Sequence, residues 1–548
     1  MEDLRAGAEQ FNRTAPAARA QLVRECLDSM RPLVAEWSRH GLAAKHLPSD
    51  SGEEWFAGPV PVLVHLHDLA DSLDQIAVNG RPALGTGVRH RSDGRLEVLV
   101  HPASRFDRVL MSGVQAHVLL RSGIDQDAAV DAQAGLYQRD TAEPSLAVVL
   151  AAGNVSSLPI TDVLAQLFNE GRVCLLKMNP VNEWFGPLLE RALRPLLDAG
   201  FVRVVYGGAD VGSYLTEHPD VDWVHLTGSA ATHDQLLWGP PGPDREARRS
   251  GELPPLISVP VSAELGNITP VAVVPDAYEP AELAFQARNV ATMVTNNASF
   301  NCLSARMLVT AKGWPQREQF LRLVMRYLAG TPTRYAYYPG AHERFHRFTE
   351  GREVRSVGDA GPEELPWTLV PDLDSSDPDE PLFRLEPFCC LLSEVPIDAH
   401  DPVEFLQRAI RFMNEVLWGT LCAAIVISPR LERDPVIAGA LDHAVTDLRY
   451  GNVAINAWPA LNVSLARLPW GGHVDGRGPE TQSGNGLVKN TLMLGAVDKG
   501  VLRAGLTVRP TPPWFSDNPK GGRVAPAFAD VVARRRWRQL PGLMVRML

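Results

Sequence analysis

The sequence predicts an α/β protein built on a doubly wound parallel sheet, followed by a second α/β unit. Short apolar runs alternate with stretches of helical periodicity, a pattern that favours a parallel sheet with helices on both faces. The apolar runs are 146–150, 173–176, 202–206 and 223–226. With 548 residues, of which 45% are hydrophobic and 21% charged, the chain is long enough for two or three domains.

Charge and cysteine content exclude several classes of function. A formal net charge of −11 argues against nonspecific nucleic-acid binding, which requires a basic face, so small molecules or proteins are the expected partners. The six cysteines form no CxxC pair and have no metal-ligand spacing, so we expect a reducing compartment and no metal site. The chain starts without an apolar signal segment and has no apolar run of about 18 residues, so we expect a cytoplasmic protein with no transmembrane segment.

Small and polar residues follow the ends of the predicted strands. Open parallel sheets bind their ligands at the carboxyl ends of the strands, so these residues should converge where a dinucleotide would lie. They are Gly153-Asn154, Lys177, Gly207-Gly208 and Gly228-Ser229. Ser229 stands at a strand-to-helix turn, where a helix N-terminus would favour a pyrophosphate.

Residues 294–309 combine an Asn-rich polar stretch, one cysteine and an apolar strand. We interpret Cys302 as a presented nucleophile, because neighbouring amides and backbone N–H groups would favour its thiolate. Glu264 lies between two apolar runs, so we expect a raised pKa that suits a general base. The alternatives are a buried structural cysteine and a solvated carboxylate at the end of a strand.

In their order along the chain, these elements resemble the aldehyde dehydrogenase superfamily from about residue 146 to residue 494. The resemblance depends on an ordered set of motifs: Gly153-Asn154, Lys177, Leu226-Thr227-Gly228-Ser229, Glu264-Leu265-Gly266, Asn301-Cys302, Glu386-Pro387-Phe388, Asn456 and Pro469-Trp470-Gly471-Gly472. It implies a doubly wound cofactor domain, an α/β catalytic domain and an oligomerisation arm. The implied activity is NAD(P)-dependent oxidation of an aldehyde to a carboxylic acid, through a thiohemiacetal and a thioester on Cys302.

The resemblance also implies roles for individual residues. The side chain of Asn154 and the backbone N–H of Cys302 would stabilise the oxyanion, and Glu264 would activate the hydrolytic water. Gly153, Gly228 and Ser229 would lie at the cofactor, Lys177 would bind the adenosine ribose, and Glu386 the nicotinamide ribose. Asn456, Trp458 and Trp470 stand in segments that resemble the wall of the substrate tunnel, which favours an apolar or aromatic substrate.

Two departures from the family pattern concern the cofactor. Pro180 stands where many NAD-preferring relatives have a glutamate for the ribose 2′-hydroxyl, so the cofactor is NAD or NADP. Cys389 and Cys390 stand where the family usually has Gly-Pro, which puts the shape of the loop after Glu386 in question.

Two other functions are open at this stage. One is an acyl-CoA reductase, or a CoA-acylating aldehyde dehydrogenase, in which coenzyme A replaces water; several such relatives lack the carboxylate that Glu264 provides. The other is a noncatalytic scaffold or binding protein, which the joint presence of the site residues argues against.

The resemblance divides the chain as follows: 1–127, N-terminal part of the cofactor-binding domain; 128–144, possible oligomerisation hairpin; 145–262, dinucleotide-binding domain; 263–467, catalytic domain; 468–500, return segment and oligomerisation strand; 501–548, C-terminal extension. Residues 488–494 read as an edge strand that would pair with another chain, so a homodimer or homotetramer is expected. The extension either packs on the chain's own body or serves as a membrane-surface or partner-binding tail.

Overall fold

The computed structural model describes residues 1–84, 87–139, 143–473 and 482–547. Two structural units account for most of the chain: one with a five-stranded sheet and a larger one with an eleven-stranded sheet.

The N-terminal residues form a helical layer against the five-stranded sheet. Its helices are α1 (Glu2–Arg13), α2 (Pro16–Met30), α3 (Val34–Ala44), α4 (Glu53–Ala57) and α5 (Pro59–Asn79). Phe11 of α1 is fully buried, and its ring lies 5.9 Å from Phe168 and 5.2 Å from Phe201. These edge-to-face contacts help to hold the layer on the sheet.

Three strands come next, and they leave this layer to join the larger sheet. The elements are β1 (Val88–His90), β2 (Leu96–His101), α6 (Arg105–Leu110), β3 (Gln115–Leu120) and α7 (Gln126–Asp131). The N-terminal helices thus lie against the five-stranded sheet, whereas these three strands belong to the eleven-stranded sheet. The domain boundary at residue 127 stays a prediction.

The five-stranded sheet is entirely parallel, in the order β6-β5-β4-β7-β8. Its elements are β4 (Ser145–Leu150), α8 (Leu158–Leu164), β5 (Arg172–Lys177), α9 (Gly186–Ala192), α10 (Arg194–Asp198), β6 (Val202–Val205), α11 (Ala209–Thr216), β7 (Trp223–Thr227), α12 (Ala230–Trp238), α13 (Pro243–Arg249) and β8 (Val261–Glu264). The predicted doubly wound sheet is confirmed, and Glu264 ends its last strand.

The larger unit begins with β9 (Pro270–Val273), α14 (Pro280–Thr295), β10 (Met307–Ala311), α15 (Arg317–Ala329), β11 (Arg334–Tyr335), α16 (Ala341–Thr349), β12 (Arg355–Val357), β13 (Glu364–Leu365), β14 (Trp367–Val370), α17 (Pro381–Arg384) and β15 (Leu391–Ile397). It continues with α18 (Pro402–Glu415), β16 (Cys422–Val426), α19 (Pro435–Asp447), β17 (Asn452–Ile455), α20 (Ala460–Ser464), β18 (Pro469–Gly471), β19 (Leu487–Lys489) and β20 (Val497–Arg503). The eleven-stranded sheet has the order β1-β2-β3-β20-β17-β16-β9-β10-β15-β14-β12. Strands β20 to β14 run parallel in this order, and the remaining pairs are antiparallel.

The arm strand predicted at 488–494 is wrong in position. Only Leu487–Lys489 is extended there, and it pairs antiparallel with Pro469–Gly471. Left-handed φ angles of 66° at Lys489, 48° at Asn490 and 51° at Met493 end the strand. The long strand is β20, which lies between β3 and β17 of the same chain and has no open edge.

The hairpin predicted at 128–144 is also wrong in the described part. Helix α7, capped by the side chain of Asp125, and a 3₁₀ turn at Gly135–Gln138 occupy this segment, while residues 140–142 lie outside the described residues. Alanine and glutamine favour helix over strand there. The strands that accompany β20 come from residues 88–120 instead.

The C-terminal extension packs on the rest of the chain, which is one of the two predicted alternatives. Helix α21 (Gly521–Arg534) and helix α22 (Leu540–Met547) follow a proline-rich segment. Val524, Ala525, Phe528 and Ala529 of α21 are buried. In the part of the chain that the structure describes, no helix is both long and apolar enough to cross a membrane.

Candidate active site

Cys302 and Glu264 line the same cavity, which has a volume of about 620 Å³. The cavity lies where the last strand of the five-stranded sheet meets the loop before β10. Much of its wall is apolar, and Leu303, Trp458 and Trp470 lie near the thiol and the carboxylate. The structure thus brings together a nucleophile and a base that are far apart in sequence.

The loop before Cys302 has an unusual backbone. Three consecutive residues are left-handed, with φ angles of 56° at Asn297, 51° at Ala298 and 69° at Ser299. Residues other than glycine rarely adopt this conformation, and it persists where surrounding contacts enforce it. It turns the chain from α14 into the half-buried thiol.

A buried arginine holds this turn in place. Arg306 donates from Nη1 to Oγ of Ser299 at 2.7 Å and to the carbonyl oxygen of Cys389 at 2.6 Å, and from Nη2 to the carbonyl oxygen of Ser299. The Cys390 thiol lies 3.4 Å from the carbonyl oxygen of Ala298. The two cysteines that depart from the family pattern are therefore buried supports behind the Cys302 loop.

The carbonyl oxygen of Asn154 is the meeting point of a buried polar network. It accepts from Nζ of Lys45 at 3.2 Å and from Nδ2 of Asn297 at 2.9 Å, and it lies 3.2 Å from the hydroxyl of Tyr337, which also donates to Oδ1 of Asn297 at 2.9 Å. Lys45 also forms an ion pair of 2.6 Å with Glu54, and neither side chain is more than 6% exposed. Sequence reasoning missed Lys45, Glu54 and Tyr337, because nothing in their local sequence links them to the site.

The side chain of Asn154 also binds the Cys302 loop. Its Nδ2 donates to the carbonyl oxygen of Phe300 at 2.9 Å. Among the described residues, the cavity lining includes Val155 but not Asn154. Because an amide nitrogen carries two hydrogens, Asn154 can keep this bond and donate a second one.

The asparagines before Cys302 form hydrogen bonds to other residues of the loop. Nδ2 of Asn297 lies 3.0 Å from the carbonyl oxygen of Phe300 and 3.2 Å from Oδ1 of Asn301, so these acceptors and the carbonyl oxygen of Asn154 share its two hydrogens. Asn301 donates to Oδ1 of Asn296 at 3.0 Å. Burial, followed by the charge of Glu264, raises the pKa of the Cys302 thiol well above its ordinary value. Burial and the nearby carboxyl group thus act against the thiolate, contrary to the predicted stabilisation by the amides.

Glu264 has the raised pKa that the sequence predicts. It is 2% exposed, and burial, with a smaller contribution from Asp162, raises its pKa to about 8. Nε1 of Trp470 donates to Oε1 of Glu264 at 2.7 Å, whereas Oε2 is buried with no hydrogen-bond partner. The indole orients the carboxyl group and leaves one oxygen available.

Two buried titratable residues near Glu264 were not predicted. Burial raises the pKa of Asp162 to about 7 and lowers that of Lys489 to about 8. Asp162 accepts from the hydroxyl of Thr227 at 2.8 Å. Their charges act on each other and on Glu264, which makes the base part of a coupled group.

The predicted substrate residues separate into two groups. Trp458 lines the cavity, and its Nε1 donates to the carbonyl oxygen of Leu303 at 3.0 Å, next to the thiol. Trp470 lines the cavity and orients Glu264. Asn456, in contrast, accepts from the N–H of Ile427 at 2.8 Å through Oδ1, so its side chain holds a turn between strands.

Lys177 ends β5 and lies beside two carboxylates. Burial lowers its pKa, while the charges of Glu183 and Asp210 raise it. Pro180 begins a 3₁₀ turn that extends to Phe185 and contains Glu183, and Oε1 of Glu183 accepts from the N–H of Gly207 at 3.2 Å. Position 180 has no carboxylate, but Glu183 and Asp210 place two carboxylates close to Lys177.

Two further strand ends have the predicted local structure. A Cβ atom at Gly153 would lie 2.6 Å from Oδ1 of Asn179, so a side chain there would displace the loop after β5. Ser229 follows Gly228 and caps α12 by accepting from the N–H of Thr232 at 3.1 Å. The first turn of α12 therefore faces the carboxyl end of the sheet, where an anion would be favoured.

Glu386 lies at the junction of the two units, beside Gly266. A Cβ atom at Gly266 would lie 1.9 Å from Oε2 of Glu386, so the glycine makes room for the carboxylate. Burial raises the pKa of Glu386 to about 7, and its Oε1 is buried with no hydrogen-bond partner. An acceptor of this kind fits a ligand hydroxyl, such as that of a ribose.

Comparison with known proteins identifies the type of fold. The sequence model of the aldehyde dehydrogenase family matches residues 147–332. The NAD-dependent aldehyde dehydrogenase of Sinorhizobium meliloti superposes with a TM-score of 0.57 at 18% identity, over 93% of this chain and 87% of that chain. The Mycobacterium tuberculosis aldehyde dehydrogenase complexed with NAD⁺ has a TM-score of 0.60 at 15% identity, over 93% and 90%.

Lactaldehyde dehydrogenase of Escherichia coli is also similar, with a TM-score of 0.58 at 16% identity, over 89% of this chain and 87% of that chain. The chain has the aldehyde dehydrogenase fold, and residues 147–332 match the family at the level of sequence. The resemblance drawn from the motifs is confirmed to this extent.

Proposed function

We propose that the protein is an NAD(P)-dependent aldehyde dehydrogenase that oxidises an aldehyde to a carboxylic acid through a thioester on Cys302. The observation that carries the proposal is the shared cavity of Cys302 and Glu264. A thiol and a carboxyl group with a raised pKa at one apolar cavity are the two groups that acyl transfer to water requires.

Cys302 begins the reaction by attacking the aldehyde carbon. A carbon–sulfur bond forms, the carbonyl oxygen becomes an oxyanion, and the thiol loses its proton. Because the pKa of the thiol is raised, we propose that this proton passes to solvent as the bond forms, so that Glu264 stays available for the later hydrolysis. The oxyanion would accept from the second hydrogen of Asn154 Nδ2 and from the N–H of Cys302, since charge forming in a buried site needs fixed donors.

Lys177, Ser229 and Glu386 would hold the dinucleotide, with Gly153 and Gly228 allowing close approach of its phosphates. Bound NAD(P) supplies the acceptor for the hydride that the substrate carbon loses as the thioester forms. Glu264 then takes a proton from water while the water oxygen adds to the thioester carbon. The carbon–sulfur bond breaks, and the departing thiolate takes that proton back from Glu264. The products are the carboxylic acid and the regenerated cysteine.

The oligomeric state is a separate proposal. In this chain β20 pairs with its own β17, but the same pairing can form between two chains if β1–β3 and β20 are exchanged. We propose a homodimer or homotetramer built by such an exchange, as the resemblance implies.

The first test is turnover with the wild-type protein and the Cys302→Ala variant. We expect wild type to form the carboxylic acid and reduced NAD(P) from an aldehyde without coenzyme A, and Cys302→Ala to lose turnover while it still binds the dinucleotide. Product analysis by mass spectrometry, with and without coenzyme A, is the measurement. An acyl-CoA product formed in preference to the acid would instead favour the CoA-acylating alternative.

The second test concerns Glu264. Its base form predominates only above a pKa of about 8, so we expect deacylation to accelerate as pH rises through this value. Glu264→Gln should lower steady-state turnover by roughly two orders of magnitude or more. Stopped-flow absorbance should still record a burst of reduced cofactor in the variant. If the burst were lost together with steady-state turnover, Glu264 would act before hydride transfer, and its role as the base of hydrolysis would be contradicted.

The third test concerns NAD against NADP. The carboxylates of Glu183 and Asp210 beside Lys177 should repel a 2′-phosphate, so we expect a lower dissociation constant for NAD. Glu183→Gln should raise the affinity for NADP relative to NAD by about tenfold, roughly the effect of one charge close to the phosphate. Calorimetric titration measures both constants, and Glu217→Gln, an exposed carboxylate of the same domain, is the matched control. If the ratio of the NADP to the NAD dissociation constant were the same in Glu183→Gln and Glu217→Gln, the role of Glu183 at the 2′-phosphate would be contradicted.

The fourth test is the mass in solution. Exchange of the arm strands predicts a particle of at least twice 59.9 kDa at micromolar concentration. Size-exclusion chromatography with light scattering gives this mass directly. A particle of 59.9 kDa would mean that the strands stay within one chain, as in the structure described here.

A further inference from the structure

The C-terminal strap, which we define as residues 511–534, forms one wall of the cavity that contains Cys302. Its lining residues include four large apolar side chains, those of Trp514, Phe515, Phe528 and Val532, beside the smaller residues Ser516, Asn518, Pro519, Gly521 and Gly522. Trp514 and Phe515 precede α21, and Phe528 and Val532 lie on it. The strap has no counterpart among the motifs of the family resemblance, yet it lines the same cavity as Cys302 and Glu264.

On one side the strap is bound to α14, the helix that leads into the Cys302 loop. Nε of Arg288 lies 2.5 Å and 2.6 Å from the two carboxylate oxygens of Asp517. The N–H of Ser516 donates to the hydroxyl of Thr292 at 3.2 Å. The ring of Phe515 lies 5.3 Å from that of Phe285. These contacts fix the strap relative to the thiol.

On the other side the strap is bound to the N-terminal helical layer. A Cβ atom at Gly522 would lie 1.5 Å from the carbonyl oxygen of Asp50, so the two backbones are in direct contact. The ring of Phe528 lies 5.5 Å from that of Phe56, and Phe56 also lines the cavity. The carbonyl oxygen of Ala533 accepts from Nε of Arg31 at 3.1 Å. The strap therefore bridges the two sides of the cavity.

The charge and the size of the cavity bear on which aldehydes it would accept. Its charged lining residues include Asp50, Glu53, Glu363 and Glu364, while Arg334 is paired with Glu53 at 3.3 Å. An anionic aldehyde would meet this excess of carboxylates. A volume of about 620 Å³ is roughly twenty times that of a water molecule in the liquid, so a two- or three-carbon aldehyde would leave most of it unfilled.

We propose that the strap is a specificity-determining wall, which selects uncharged aldehydes that carry a bulky apolar group. The proposal rests on the aldehyde dehydrogenase function proposed above. Apolar contact with Trp514, Phe515 and Phe528 would favour an alkyl chain or an aromatic ring over a short substrate, because the buried apolar area grows with substrate size.

Trp514→Ala tests the wall, with Trp537→Ala as the matched control. Trp537 is a tryptophan of the same C-terminal region that is 53% exposed and packs on Phe106. For wild type we expect a higher kcat/KM with decanal and 2-naphthaldehyde than with propanal. Trp514→Ala should lower this preference by about tenfold, mainly by raising KM for the large substrates, whereas Trp537→Ala should keep it.

Trp514→Phe should restore most of the preference, because an aromatic ring again faces the substrate. Circular dichroism and thermal unfolding establish that each variant is folded. An unchanged preference in folded Trp514→Ala, or an equal loss in Trp537→Ala, would overturn the proposal.

A binding measurement separates this proposal from the proposed function. Decanamide, an unreactive analogue, is titrated by calorimetry into Cys302→Ala in the presence of NAD, with and without Trp514→Ala. We expect Trp514→Ala to weaken binding by about tenfold. If wild type oxidised none of the aldehydes, the proposed function would fail, and this titration would still decide the role of the strap. Equal affinity in the two proteins would overturn it.

Discussion

The carbonyl oxygen of Asn154 connects the three parts of the molecule that form the cavity. Lys45 reaches it from the N-terminal helical layer, Asn297 from the Cys302 loop and Tyr337 from the larger unit. Lys45 is charged and buried, and its partner Glu54 is fully buried. Removing either partner of such a pair typically costs about 3–5 kcal/mol, because the other charge stays buried without compensation.

The geometry of Cys302 depends on this connection and on Arg306. The left-handed turn at 297–299 would relax if the chain were free, since side chains disfavour it. Asn297 ties one end of the turn to Asn154, and Arg306 ties the other end to the segment of Cys389. The nucleophile is therefore held by two of its neighbours in sequence, Asn297 and Arg306, which bind distant parts of the chain.

Much of the fold could be predicted from sequence, because parallel strands and their helices produce strong local patterns. Lys177, Ser229 and Glu264 fall at the ends of strands or helices, where the hydrophobic pattern changes, and the structure places them there. The arm could not be located in this way. Its strands β2, β3 and β20 are defined by long-range pairing, and the strand predicted at 488–494 is broken by backbone conformations that composition does not reveal.

The electrostatics of the site were predicted in part. The apolar flanks of Glu264 correctly indicated a raised pKa, since burial dominates that shift. For Cys302, the amides that are close in sequence indicate a stabilised thiolate. In the structure those amides bond to each other, and burial beside a carboxyl group has the opposite effect on the thiol. Local sequence identifies polar neighbours but not the direction in which they point.

The position of β20 has a consequence for biosynthesis. Arg121, next to β3, donates a hydrogen bond to Val497, 376 positions later, so the sheet cannot close until nearly the whole chain has been made. At about 5–20 residues per second, β3 would wait roughly 20–80 s for its neighbour. During that time its edge is a template for pairing with other chains, including a second copy emerging nearby. The nascent protein would therefore depend on chaperones, or on a neighbouring nascent chain, to protect this edge until β20 arrives.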